Sequence, residues 1–358
     1  MTTLRTRLGA LAFDVPRFAA AMAGRRRWIH MKNRREATSS DGRGVRCHWQ
    51  HTSDLHIAKV FPSAGAALMR KAFAQWPIVL GSGTTGEGAC RPTGAGAGAG
   101  AEASRGGTGA PACPQVSFII GHRGLARLPH LLATLRSIAG QRDAAVECIV
   151  VEQAIDAEVE SHLPPWVRYV HTPPPNAGYD YNRAWTLNAG ARAARGELLI
   201  LHDNDMLVPE RYAAEALARM RDGFDFIDLK RFTFYLSEET TAGFFAGGPI
   251  PMQSSTIVQN LQGASIAASR TAYLAVGGFD ESFVGWGGED NEFWERAELG
   301  GRATTYGYLP FVHLFHAPQK GKLQGAAAPA LQRWVELSAV PAAERMRRLV
   351  AAPPPSLR

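Results

Sequence analysis

Leu199-Ile200-Leu201-His202-Asp203-Asn204-Asp205 is an apolar run that ends abruptly in two carboxylates one residue apart. Continuous Leu/Ile before a polar break predicts a buried strand. Both carboxylates then sit at its C-terminal end, where open α/β sheets bind ligands. The residue between them turns away, so two acids at this spacing suit a divalent cation and a phosphate whose charge it neutralises. The plainer alternative is a strand end turning through Asp-Asn into a helix that starts at Pro209. Gly285-Trp286-Gly287-Gly288-Glu289-Asp290, with His313 and His316 beyond it, favours the ligand reading.

Working back from that strand, Val116-Ser117-Phe118-Ile119-Ile120 reads as a buried strand closed by Gly121-His122-Arg123-Gly124. Leu128, Leu131, Leu132, Leu135 and Ile138 repeat at helical spacing, and Cys148-Ile149-Val150-Val151 is a second buried strand. Val167-Tyr169-Val170 reads as a third. A helix then carries Ala184, Leu187, Ala191 and Ala194 on one stripe into the strand over 197–202. Alternation of this kind predicts an α/β fold, a mainly parallel sheet with helices on both faces. A helix over 209–220 and a strand over 225–235 are expected next. Residues 241–262 read as an irregular loop over the site.

The 358 residues are 46% hydrophobic, enough for a sizeable core in one large or two ordinary domains. The net charge of +7 is unevenly placed: residues 1–114 hold 16 Lys/Arg against 6 Asp/Glu. Residues 1–44, with Arg25-Arg26-Arg27, Lys32, Arg34 and Arg35, read as a basic, solvated or disordered segment. Such a run can also meet an anionic membrane surface or nucleic acid. Residues 45–80 read as a short ordered piece with a helix from Ala64 to Gln75. Residues 81–114 read as a Gly/Ala-rich linker, since Gly94 to Gly100 buries too little surface to offset its ordering entropy. The regular domain is placed at 115–318 and a helical tail at 319–358. No apolar stretch approaches the ~20 residues of a membrane span, so the expected location is cytoplasmic, with peripheral membrane contact through residues 1–44. Cys47, Cys90, Cys113 and Cys148 have no metal-ligand spacing, and Cys148 reads as a buried strand residue.

Tyr181-Asn182-Arg183-Ala184-Trp185-Thr186-Leu187-Asn188-Ala189-Gly190, His202-Asp203-Asn204-Asp205, Gly277-Gly278-Phe279-Asp280, Gly285-Trp286-Gly287-Gly288-Glu289-Asp290 and His313-Leu314-Phe315-His316 follow in order. This set resembles the motifs of β-1,4-galactosyltransferases and of the C-terminal galactosyltransferase-like domain of chondroitin-type polymerases. The resemblance covers roughly residues 115–318. It implies the GT-A fold and an inverting, metal-dependent enzyme using a nucleotide sugar, with a UDP-sugar of galactose or N-acetylgalactosamine type favoured and a glycan as acceptor.

Carried across residue by residue, the resemblance implies that His122 and Arg123 meet the nucleotide. The sequence departs at once, with Gly124-Leu125 where the family has a second polar-basic pair, which leaves Arg127 as a candidate phosphate or uracil contact. Arg183 looks like a nucleotide-binding arginine, and a helix N-terminus suits an anion there. Tyr181 is a candidate to stack on the base, or a helix staple. Asp203 resembles the carboxylate near the ribose, and Asp205 the metal ligand. His316 falls on the family's metal histidine, and His313 stands where the family has methionine. Two imidazoles and one carboxylate suit Mn²⁺ or another first-row ion better than Mg²⁺.

The resemblance assigns Asp290 as general base and Glu289 as a support or acceptor contact. Their alternative is an acidic first turn of a helix, which is itself stabilising. Gly287 and Gly288 permit close backbone approach, and Trp286 offers a flat face for a sugar ring. Two other functions stay open. One is a sugar- or nucleotide-binding protein without catalysis; the other is a nucleic-acid-binding protein acting through residues 1–44.

Overall fold

The computed structural model describes residues 3–16, 19, 53–81, 113–259, 262–304 and 307–358. The disorder expected for most of residues 1–44 and the linker expected over 81–114 therefore lie largely outside the described residues. Within the basic segment, residues 3–16 are described, and helix α1 (Leu4–Gly9) runs on into a wider helical turn over Ala10–Asp14.

The central sheet has six strands. In chain order its members are β2 (Val116–His122), β3 (Val146–Glu152), β4 (Val167–His171), β5 (Leu198–His202), β7 (Phe226–Ile227) and β10 (Ser265–Ser269). In space the order is β4-β3-β2-β5-β10-β7, with β10 antiparallel to both its neighbours and β2 to β5 parallel throughout. Helices α4 (Leu128–Ala139) and α6 (Tyr212–Arg221) pack on one face, where Phe118, Ile120, Val150 and Ile200 point. Helices α5 (Arg183–Ala193), α8 (Arg270–Ala275) and α9 (Glu289–Gly300) cover the other, against Ile119, Ile149, Leu199 and Leu201. Both faces are thus dry, which is why these strands read as unbroken apolar runs instead of alternating ones. The mainly parallel sheet with helices on both faces is the architecture expected from the sequence. Cys148 is buried in β3, as expected.

A second sheet was not legible. It runs β1 (Ser53–Leu55), β9 (Thr256–Gln259), β8 (Lys230–Tyr235), β11 (Leu309–His313), β6 (Met206–Leu207). The single strand expected over 225–235 is therefore two strands in different sheets. Asp228 makes the break: its carboxylate takes the Lys230 backbone N–H at 2.9 Å and pairs with the Lys230 ammonium at 2.8 Å, both side chains fully buried. Residues 241–262 are likewise more regular than expected, holding the end of α7 (Glu238–Phe245) and β9. Helix α2 (Ile57–Val60) and helix α3 (Pro62–Gln75) pack on this second sheet, with Leu68, Met69 and Phe73 in one core with Phe232, Phe234 and Val312. The described part of the segment expected over 45–80, residues 53–80, therefore shares a core with the strand that carries His313.

The tail is also docked. Helix α10 (Lys320–Gln324) leads to α11 (Pro329–Ser338), where Ala330, Leu337 and Trp334 pack on Phe283, and then to α12 (Ala342–Ala351). Arg345 of α12 ion-pairs with Glu292 at 2.7 Å and with Glu295, while Arg296 pairs with Glu292 at 2.6 Å, all inside the protein. Among the described residues no helix is long and apolar enough to cross a membrane.

Candidate active site and metal centre

Both carboxylates of Asp203-Asn204-Asp205 stand at the C-terminal end of β5, held by a buried histidine. The His202 Nε2 donates to the Met206 carbonyl at 3.2 Å and its Nδ1 accepts from the Ser265 hydroxyl at 2.8 Å, so the ring spans the turn. Burial pushes its pKa down to about 4, which keeps it neutral in this role. His122 supports the same turn from β2. It is buried and its Nδ1 faces the Asn204 amide at 2.8 Å, while its Nε2 donates to the Gly124 carbonyl at 2.8 Å. Burial lowers its pKa as well. Both ring nitrogens of His122, expected to meet a nucleotide, are engaged inside the protein.

His313 reaches Asp205 through strand pairing. β6 begins one residue after Asp205 and runs antiparallel to β11, with His313 opposite Met206, and the Leu314 N–H donates to the Asp205 carbonyl at 2.9 Å. His316 follows on the turn after β11. Its Nε2 lies 3.1 Å from Asp205 Oδ2 and the His313 Nε2 lies 3.8 Å from Asp205 Oδ1. One ligand atom from each of these three residues falls within 4.8 Å of the others. The His316 Nδ1–H donates to the Ala317 carbonyl at 2.7 Å, so Nε2 is the ring nitrogen turned to Asp205 and the one placed to bind a metal. Asp205 Oδ1 is buried without a hydrogen-bond partner, and an unsatisfied carboxylate oxygen beside two imidazoles is what a cation-binding cluster leaves. Burial opposes ionisation of Asp205, yet His313, His316 and Arg127 together hold its carboxyl well below the usual carboxylate range. Burial likewise pushes His313 down to about 4, so it is a neutral imidazole at physiological pH. Its ring stacks on Tyr235 at 4.2 Å. These residues fit a borderline divalent ion.

Arg127, from the short turn before α4, places a guanidinium N–H 2.9 Å from Asp205 Oδ2. Arg123 donates to the Tyr179 carbonyl at 2.7 Å. The Tyr181 hydroxyl lies 3.1 Å from the Thr186 hydroxyl, and a Cβ on Gly121 would come 2.2 Å from it. The Tyr181 phenol is therefore packed on the end of β2, and burial pushes its pKa up to about 12.

Asn182 caps α5 by accepting the Trp185 N–H at 2.9 Å, which aims Arg183 into the site. Arg183 is the hub of three carboxylates: Asp203 at 2.7 Å, Asp290 at 2.9 Å and Glu289 at 3.6 Å. Its Nη2 is buried without a hydrogen-bond partner. Burial pushes Asp203 up to about 6 against the pull of Arg183. Burial, and next the charge of Asp290, push Glu289 up to about 7. Glu289 and Asp290 open α9, whose cap is Gly288 at φ 92°. Trp286 is half-buried, with the Lys322 ammonium 5.9 Å from its ring centroid.

Gly263 was missed in the sequence, and a Cβ there would come 2.1 Å from Asp290 Oδ2. Asn188 carries no signal in the sequence beyond its place in the 181–190 motif. Its amide donates to the Phe279 carbonyl at 2.9 Å and to Glu281 at 2.8 Å, while its carbonyl accepts from Tyr273 at 2.6 Å, which ties α5 to the Gly277–Asp280 turn.

A family model described as the N-terminal domain of galactosyltransferase matches residues 255–315. No curated protein matches the chain. A solved structure, the catalytic domain of Drosophila β1,4-galactosyltransferase 7 in complex with xylobiose, matches at 17% identity with a TM-score of 0.30. The match covers 53% of this chain and 63% of that one, so the chain spans less than two thirds of that relative. Residues 255–315, which contain Gly263, Glu289, Asp290 and His313, are thus the part of the chain that is similar to a galactosyltransferase domain.

Proposed function

We propose that the protein is an inverting, divalent-metal-dependent glycosyltransferase that moves a hexose or N-acetylhexosamine, of galactose type, from a UDP-sugar to a glycan hydroxyl. The observation that carries this reading is the cluster of Asp205, His313 and His316, two residues along the chain from Asp203, which Arg183 joins to Asp290. A candidate cation cluster and a base candidate are thereby linked through one carboxylate, which suits transfer from a nucleotide diphosphate.

A divalent cation, Mn²⁺ by donor chemistry, would be held by Asp205, His313 and His316 and would supply neutralisation of the leaving diphosphate. Arg127, already on Asp205, adds positive charge on the same side for phosphate oxygens. Arg183 and Asp203 offer a donor and an acceptor for sugar or ribose hydroxyls, and Arg123 lies on the nucleotide side of β2. Trp286 and the backbone of Gly287 and Gly288 form the acceptor side. Asp290 takes the proton from the attacking acceptor hydroxyl, with Arg183 orienting its carboxylate from 2.9 Å and Glu289 beside it. One displacement without a glycosyl-enzyme intermediate inverts the anomeric centre.

The test is release of UDP from UDP-galactose and UDP-N-acetylgalactosamine with Mn²⁺ and with chelator. Asp205→Ala and His316→Ala should lower turnover by at least about 10²-fold, the scale of losing an electrostatic stabiliser of the leaving group. Full turnover in chelator would overturn the metal role. Donor binding without any turnover in the presence of acceptors would support the binding-protein alternative.

A further inference from the structure

The N-terminal helical segment is docked on one side and exposes leucines on the other. Ala10 is fully buried, a Cβ on Gly9 would come 2.8 Å from the His56 ring, and Asp14 accepts the Ile57 N–H at 2.8 Å. The segment is thereby fastened to α2, and through it to β9 of the second sheet. The opposite side carries Leu4, Leu8 and Leu11 at 74%, 57% and 54% exposure. Spacings of four and three put the three leucines in one line along the helix. Arg5 and Arg7 are also exposed, and Arg17, Arg25, Arg26 and Arg27 follow in the sequence. The first 40 residues hold only two acids, Asp14 and Glu36, and Asp14 is spent on docking.

We propose that this face seats the protein on an anionic lipid surface, with Leu4, Leu8 and Leu11 in the boundary between headgroups and acyl chains. Arginine suits that position because its stem lies along apolar surface while its guanidinium reaches the phosphates. Stable peripheral binding needs two signals, an inserted apolar face and a polybasic neighbour, and this segment has both. The charge selects a lipid partner over a second copy of the chain, since two copies would bring two sets of arginines together. A fastened helix, unlike a loose tail, holds the folded domain at the surface.

The experiment uses the full chain with vesicles of phosphatidylcholine, with and without phosphatidylglycerol. The parent protein should co-sediment with the anionic vesicles, more weakly at high salt, and leave the neutral ones in suspension. The triple variant Leu4→Ser, Leu8→Ser, Leu11→Ser should lose at least about 100-fold in partitioning, from the apolar area it removes. Its melting temperature should match the parent's, because the substituted side chains face solvent. Undiminished binding by the triple variant would overturn the proposal in favour of arginine charge alone. Absence of vesicle binding by the parent would overturn it too. So would a concentration-dependent dimer that the triple variant breaks, which would make the face a contact between copies.

Discussion

Asp290 and Glu289 share one guanidinium but differ in environment. If Asp290 is the base, Asp290→Asn keeps size and hydrogen bonding but cannot take a proton, so transfer should fall by about 10²–10⁴. Asp290 lies in the first turn of α9, behind the cap Gly288, so the substitution forfeits a first-turn charge and one of the three carboxylates on Arg183, and stability should fall by about 1 kcal/mol. Transferase rate and melting temperature measured together separate the two roles, and unimpaired transfer would refute the assignment. Glu289 answers to pH instead. Its pKa in the fold is raised from 4.5 to about 7, by burial and then by Asp290. The neutral form is therefore the one the fold favours. Its stabilising contribution is complete below the unfolded pKa and is lost as pH rises through about 7. Glu289→Gln should melt like the parent near pH ~5 and be more stable by about 2 kcal/mol at pH ~8. Melting curves at both values check this, and an equal difference at each pH would contradict the linkage.

At the scale of elements, the start of α9 depends on a glycine held against α11. Gly288 has φ 92°, and a Cβ on it would come 2.7 Å from the Trp334 Cβ and 3.0 Å from the Phe283 ring. Left-handed backbone strain and overpacking add in Gly288→Ala, at about 1–2 and about 1–3 kcal/mol. Gly247 has a similar φ of 94° but open space around it, so Gly247→Ala should show the strain alone. The measurement is melting temperature plus transfer rate for both variants. Only Gly288→Ala should also lose transfer, because its crowding displaces the first turn that carries Glu289 and Asp290. Equal loss of transfer in the two would show that α11 does not set this turn.

The whole molecule is larger than the motif-bearing region. Residues 319–358 lie outside the resemblance, yet Arg345 is one of two guanidinium groups facing buried Glu292, and Trp334 and Leu337 cover Phe283. Removing one partner of a buried ion pair strands the other charge and destabilises by about 3–5 kcal/mol. A chain ended at residue 318 should therefore melt well below the full chain or fail to stay soluble. Arg345→Ala should show about the ion-pair share of that loss. A truncated chain as stable as the parent would mean the tail is an accessory. The same ion-pair logic keeps α9 rigid at its middle, behind the carboxylates at its start.

What the sequence by itself determined is what local pattern encodes. Buried parallel strands are continuous apolar runs, so β2, β3 and β5 were legible, and so were α4 and α5 from their stripes. Asp203 and Asp205 could be placed at a strand end because a run of Leu/Ile stops there. Tertiary structure alone decided the contacts between residues far apart in the chain. The second sheet gathers strands from residue 53 to residue 313, of which β1, β6 and β9 are too short to show a period, and its β6–β11 pairing is what brings His313 to Asp205. Arg183 looked like an anion site at a helix start, but the fold surrounds it with carboxylates from three positions. Gly263 carries no signal of its own; its meaning is the carboxylate of Asp290 lying where a Cβ would be. Periodicity reports which side of an element is dry, whereas the charge beside a side chain is set by packing, and packing exists only once the chain has closed on itself.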